Sequence, residues 1–141
     1  MNALVFLLAC ALGALSDDGT APKGNKYVSM AVSLSSSLIR PGDSGTIRIA
    51  FNPADGFHVN ADPPLGLKIS TKNVITLLGK PDIVVDEESG FHSTKTPVDQ
   101  RFAVARNAAP GRHTIKGILT YYFCSDSEGW CTKAHIQSCS M

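Results

Sequence analysis

The chain predicts an all-β fold, an antiparallel sandwich. Three observations carry this expectation. Apolar and polar residues alternate with a period of two through most of the chain from Tyr27 onward. Turn-forming residues interrupt the alternation at short intervals. No stretch sustains the 3.6-residue period of an amphipathic helix.

The elements follow in order. Val28, Met30, Val32 and Leu34 alternate with Ser29, Ala31, Ser33 and Ser35. Ile47, Ile49 and Phe51 alternate with Thr46, Arg48 and Ala50, and Phe57, Val59 and Ala61 with His58 and Asn60. Val98, Phe102 and Val104 share a face that Gln100 interrupts, and Ile115, Leu119, Tyr121 and Phe123 share another. Between them fall Pro41-Gly42-Asp43, Asn52-Pro53, Pro63-Pro64, Lys80-Pro81, Ser89-Gly90 and Ala109-Pro110-Gly111, all turn signals. Short half-buried strands at this spacing, about seven to nine of them, point to an immunoglobulin-like sandwich. The Cys-Trp-Cys spacing of antibody domains is absent.

Composition narrows the function classes. With 141 residues the chain can bury a self-sufficient core, so its cysteines are not needed as staples. Thirteen basic and 12 acidic residues, spread without a basic block, leave no footprint for nucleic acid. There is no GxSxG, HExxH, phosphate loop or dinucleotide fingerprint, and no cofactor is expected.

The apolar run Ala3 to Leu15 starts the chain and is too short to span a bilayer. It reads as a signal peptide over residues 1–16, followed by a polar linker over residues 17–26 and one domain over residues 27–141. Met1-Asn2 lacks the usual basic residues. Leu7-Leu8-Ala9-Cys10 also fits a lipoprotein signal, which would make Cys10 a lipid anchor; a buried N-terminal helix ranks third. Export implies an oxidising compartment, where a cysteine pair persists as a disulfide.

The candidate site is the pair Cys124 and Cys131. They flank Ser125-Asp126-Ser127-Glu128-Gly129-Trp130, with Gly129 giving turn freedom, so a hairpin would bring them face to face. Counting by twos, Cys124 shares the more polar face of its strand with Tyr122, Thr120 and Lys116, and is expected near the surface. Two readings stay open. A structural bond closing so short a loop would contribute about 2–3 kcal/mol. An exchanging pair needs accessibility and a thiolate; here Asp126 and Glu128 oppose the thiolate, and only Lys133 and His135 favour it. Tyr121 and Phe123 are expected in the core, whereas Trp130 is a candidate for shielding the sulfurs or docking a partner. Metal ranks below both readings: Cys131-x3-His135-x3-Cys139 with Cys124 supplies ligand types but no known spacing. His58, His92 and His113 are scattered and are expected to be surface or hydrogen-bonded residues.

Two motifs carry a resemblance. Phe57-His58-Val59-Asn60-Ala61-Asp62-Pro63-Pro64, followed by Leu65-Gly66-Leu67, resembles a W-H-[IV]-N-x-x-P-P element. Gly117-Ile118-Leu119-Thr120-Tyr121-Tyr122-Phe123-Cys124, with Cys131 following, resembles a strand carrying a redox-active pair. Both belong, in this order, to the N-terminal periplasmic domain of DsbD-type thiol:disulfide interchange proteins. The resemblance covers Tyr27 to Gln137. It implies an immunoglobulin-like fold in which Cys124 and Cys131 cycle between dithiol and disulfide. It also implies a periplasmic or secreted location, a membrane electron donor acting in trans, and thioredoxin-like partners. A cap loop over the cysteines is implied as well, and Asp86 to His92 falls where it would lie. The chain departs from the family in an inter-cysteine loop longer by one residue and in Cys139, which has no counterpart. The alternative is a non-catalytic immunoglobulin-like module that binds a protein partner, its disulfide purely structural. Cys131 is expected to be the less shielded of the two sulfurs.

Overall fold

The structure, a computed structural model, describes residues 4–6, 25–36, 38–70 and 73–137. The regular elements among them are all strands: β1 (Leu4–Phe6), β2 (Val28–Leu34), β3 (Leu38–Ile39), β4 (Ser44–Pro53), β5 (Phe57–Val59), β6 (Gly66–Ile69), β7 (Ile75–Asp82), β8 (Val98–Val104), β9 (Gly111–His113), β10 (Gly117–Ser125) and β11 (Cys131–Gln137). The expected all-β, antiparallel character is what the chain adopts.

One sheet runs β2-β4-β8-β7. The other runs β11-β10-β5, with β6 also paired to β10. A small third sheet runs β3-β1-β9 and holds the parallel pair β1–β9. Its β1 belongs to the apolar run read as a leader. Leu4–Phe6 is extended backbone, and the rest of that run, Cys10 included, lies outside the described residues, as do most of the expected linker and Cys139.

The alternation decides which side chains meet. In β2 the buried set is Val28, Met30 and Val32, and in β4 it is Ile47, Ile49 and Phe51. From the other sheet Val59, Leu119, Tyr121 and Phe123 join them in one core. Phe51 and Tyr121 meet across it with ring centroids 5.2 Å apart. Each large apolar side chain buried in this way contributes about 1.5–3 kcal/mol. The Tyr121 hydroxyl accepts a hydrogen bond from Asn25 Nδ2 at 3.3 Å, and burial pushes its pKa up. Asn25 Oδ1 also accepts from the amides of Tyr27 and Val28, fixing the entry into β2.

Gln100, the residue that interrupts the apolar face of β8, is buried with a purpose. Its amide donates to the carbonyls of Arg101, Leu78 and Gly79. Leu78 marks the point where the β7–β8 register shifts, so the side chain supplies hydrogen bonds at an irregularity in the ladder.

Gly117 starts β10 opposite Ile69 of β6. A Cβ at this position would lie 2.7 Å from the Lys68 carbonyl oxygen, a backbone atom that cannot swing aside. Gly117→Ala is therefore expected to lower stability by about 1–3 kcal/mol through loosened β6–β10 pairing, read as a lower midpoint in denaturant unfolding.

Candidate functional site

β10 and β11 form a long hairpin whose register pairs Ile118 with Gln137 at one end and Cys124 with Cys131 at the other. The two cysteines are disulfide-bonded, with Cα atoms 4.0 Å apart. The next rung toward the loop is hydrogen-bonded, Ser125 N–H donating to the Trp130 carbonyl at 2.9 Å. The cysteines thus occupy a non-hydrogen-bonded rung, where facing side chains stand closest. Gly129, at φ +71°, makes the loop compact enough for that rung to close.

The bond is lopsided. Cys131 is exposed, whereas Cys124 is only 4% exposed. The expectation that Cys131 is the less shielded sulfur agrees with this. The expectation that Cys124 lies near the surface does not. Cys124 does sit on the outer face of its strand, but β10 is an interior strand with β11 on one side and β5 on the other. Directly across from Cys124 in β5 is His58. Two residues away in each direction, Asn60 N–H donates to the Tyr122 carbonyl and Asp126 N–H to the Gly56 carbonyl, both at 2.8 Å. Cys131, Cys124 and His58 therefore form one row across the sheet, all projecting to the same face.

A cover lies beside this row. Val85 bridges to His92 and Asn60 bridges to Phe91, so the chain from Val85 to His92 doubles back along the edge of β5. Asp86 shapes its tip: the carboxylate accepts from the amides of Glu88 and Ser89 and from the Ser89 hydroxyl, which lowers its pKa. The Phe91 ring stacks on the His58 imidazole with centroids 3.4 Å apart and planes within 10°. Asn60 Nδ2 lies 3.9 Å from the Cys131 sulfur.

The two carboxylates of the inter-cysteine loop have partners. His58 Nδ1 is bonded to the Asp126 carboxylate. Glu128 accepts from Trp130 Nε1 at 2.5 Å. Lys133 stands two rungs away, opposite Tyr122, while His135 is further down the hairpin and bonded to Thr120. Trp130 packs at the end of the core: its ring lies 5.7–5.9 Å from those of Tyr27, Phe57 and Phe123. Among the described residues no three His, Cys, Asp or Glu side chains gather as a metal-holding group. The Cys139 of the metal reading lies outside them.

The three scattered histidines differ sharply. His113 Nε2 meets the Ala109 carbonyl. His58, which spacing gave no reason to single out, turns out to face Cys124. His92 is neither at the surface nor bonded through Nε2: it is 5% exposed, packs beside Phe51 and leaves Nε2 without a hydrogen-bond partner. His58 and His92 line a small cavity of about 190 Å³ with Asp86, Ser89, Phe91 and Lys95. A larger cavity of about 430 Å³ lies away from this chemistry, between β6 and β7, lined mainly by Leu67, Ile69, Ile75 and Leu77.

No family model matches the chain, and no curated protein or solved structure matches it either.

Burial lowers the pKa of His92, whose Nε2 has no hydrogen-bond partner to support a second ring proton. A base whose folded pKa is depressed contributes stability that is present above its ordinary range and lost on acidification. The carboxylates with lowered pKa, Asp86 and Asp99, act at still lower pH. Stability is expected to fall between about pH 7 and 5 by at most about 1.4 kcal/mol per pH unit. His92→Phe should flatten that interval in thermal unfolding measured at a series of pH values.

Proposed function

We propose that this chain is an exported, periplasmic thiol:disulfide exchange module. Cys131 is the sulfur that meets a partner, and Cys124 is the sheltered sulfur that receives or returns the electron pair. The observation that carries the reading is the asymmetry of the bond, with one sulfur exposed, its mate 4% exposed, and both in line with an imidazole. Exchange proceeds by in-line attack of a thiolate on one accessible sulfur. A bond open at one end only dictates which sulfur that is.

Two further features support the reading. The hairpin is already zipped by six register pairs from Ile118 to Phe123 before the disulfide is reached, so the bond is an addition to a formed ladder rather than its source. The segment Val85 to His92, folded along the site's edge, matches the place where the resemblance to DsbD-type N-terminal domains implies a cap loop. On this reading the domain is an immunoglobulin-like sandwich. Its partners are thioredoxin-like proteins on one side and a membrane electron donor, acting in trans, on the other. The inter-cysteine loop carries Asp126 and Glu128 and no basic residue, so the activated attacking thiol belongs to the partner.

The reduction potential of the Cys124–Cys131 pair tests this directly. An exchanging pair should lie above about −300 mV, and the reduced protein should stay folded. A potential below that value, together with unfolding on reduction, would instead identify a structural bond in a protein-binding module. A second prediction concerns direction of attack. In a background with Cys10 and Cys139 replaced by Ser, Cys124→Ser, which leaves Cys131 exposed and without its mate, should trap a mixed disulfide with an activated thioredoxin-like protein whose resolving cysteine has been removed. Cys131→Ser should trap at least about tenfold less, because the remaining thiol is buried.

A further inference from the structure

The row Cys131–Cys124–His58 raises a question that disulfide geometry alone does not answer. If a partner attacks Cys131, the electron pair of the S–S bond departs on Cys124. That sulfur is buried, and a thiolate there is costly unless it is paired or protonated. Two groups are placed to answer that charge: the exposed Lys133, diagonally across from Cys124 in β11, and the less exposed His58 in β5. His58 stands in the adjacent strand, directly opposite, and neighbouring side chains on one face of a sheet stand about 5 Å apart at Cβ. Its side chain is 16% exposed and fixed from two directions, by Asp126 at Nδ1 and by the Phe91 ring on its face. The charged and titratable groups around it are Asp126 from the inter-cysteine loop, and Asp86, His92 and Lys95 in the small cavity beside it. Asp126 is engaged with His58 itself. Asp86 is held by the backbone of its own turn.

We propose that His58, oriented by Asp126, is the proton donor and acceptor for Cys124 during exchange. This rests on the redox reading above and assigns a residue to it. The partner's thiolate attacks Cys131 Sγ, forming the intermolecular S–S bond and breaking the internal one. The electron pair leaves on Cys124 Sγ, and the proton carried by the His58 imidazolium passes to that sulfur. The products are the mixed disulfide, a neutral Cys124 thiol and a neutral imidazole. In the reverse direction His58 takes the Cys124 proton, the thiolate attacks the Cys131 sulfur of the mixed disulfide, and the partner departs as its thiolate. Asp126 is a positioning residue: by accepting the Nδ1 proton it fixes the tautomer and leaves Nε2 as the exchanging nitrogen, the division of labour seen wherever a carboxylate orients a working imidazole.

The test uses dithiothreitol as the thiol, so that no protein partner is needed. Reduction of the native protein is followed by quenched alkylation and mass measurement between about pH 5 and 8, where imidazoles titrate. Each rate is divided by the concentration of dithiothreitol thiolate, removing the attacking group's own pH dependence. The normalised wild-type rate should rise as pH falls. His58→Gln should be about 100-fold slower at the acid end and flat across the range. Asp126→Asn should fall between the two; its side chain is 52% exposed, so this variant carries the test even if His58→Gln does not fold. His92→Phe should keep the wild-type profile, because acid opening of the cover through His92 would also speed reduction and must be separated. A rise lost in His92→Phe but kept in His58→Gln would assign the effect to the cover and overturn the proposal. So would a flat wild-type profile, or an Asp126→Asn rate equal to wild type. A disulfide that the folded protein never yields to dithiothreitol would instead overturn the redox reading itself, whereas a reducible bond indifferent to His58 would overturn this proposal alone.

Discussion

β10 is the strand on which the rest of this protein is arranged, because both of its edges and both of its faces are in use. Its edges pair with β11 on one side and with β5 and β6 on the other. Its inner face sends Leu119, Tyr121 and Phe123 into the core, and its outer face carries Cys124. A strand hydrogen-bonded on both edges cannot shift register without breaking two ladders and turning its apolar set toward water. The position of Cys124 relative to Cys131 and His58 is therefore held by the same pairing that builds the sheet. The chemistry needs no separate scaffold.

This arrangement explains how one sulfur is sheltered while its bonded neighbour is not. Cys131 begins β11, which is an edge strand, and it emerges straight from the loop. Cys124 is one strand further in, with His58 beyond it and the Val85–His92 segment beyond that. Along this row of the sheet Cys131 is exposed, Cys124 is the most buried member, and the His58 side chain is 16% exposed. A reaction entering from the edge meets the open sulfur first and delivers charge to the enclosed one, next to the imidazole. The acidic residues of the loop, which from spacing alone argue only against a thiolate, take different parts here. Asp126 orients His58, and Glu128 holds Trp130 at the end of the core.

Much of the fold was legible because it follows from local alternation. The buried sets of β2 and β4, and the inner-face set of β10, are the residues that a count by twos selects. The Cys124–Cys131 pairing was legible because seven positions of separation across a turn leave little freedom in where the two ends meet. Gln100 looked like a break in its pattern, and its role at the β7–β8 irregularity depends on a partner strand about twenty residues away in sequence. Trp130 sits in the loop by sequence and at the end of the core in space, because the residue facing Ser125 points to the inner side of the sheet.

The sequence by itself determined the class of fold, the strand faces and the cysteine pair, since each of these depends on neighbours a few residues away and on the two-residue period of an extended chain. Only the tertiary structure decided what surrounds the pair. The burial of Cys124, the imidazole opposite it, the Asp126 that orients that imidazole and the orphaned nitrogen of His92 all arise from contacts between segments far apart in the chain. Periodicity assigns a residue to a face of its own strand. Which strand lies alongside, and what crosses over that face, is set by how the sheets assemble around their shared core.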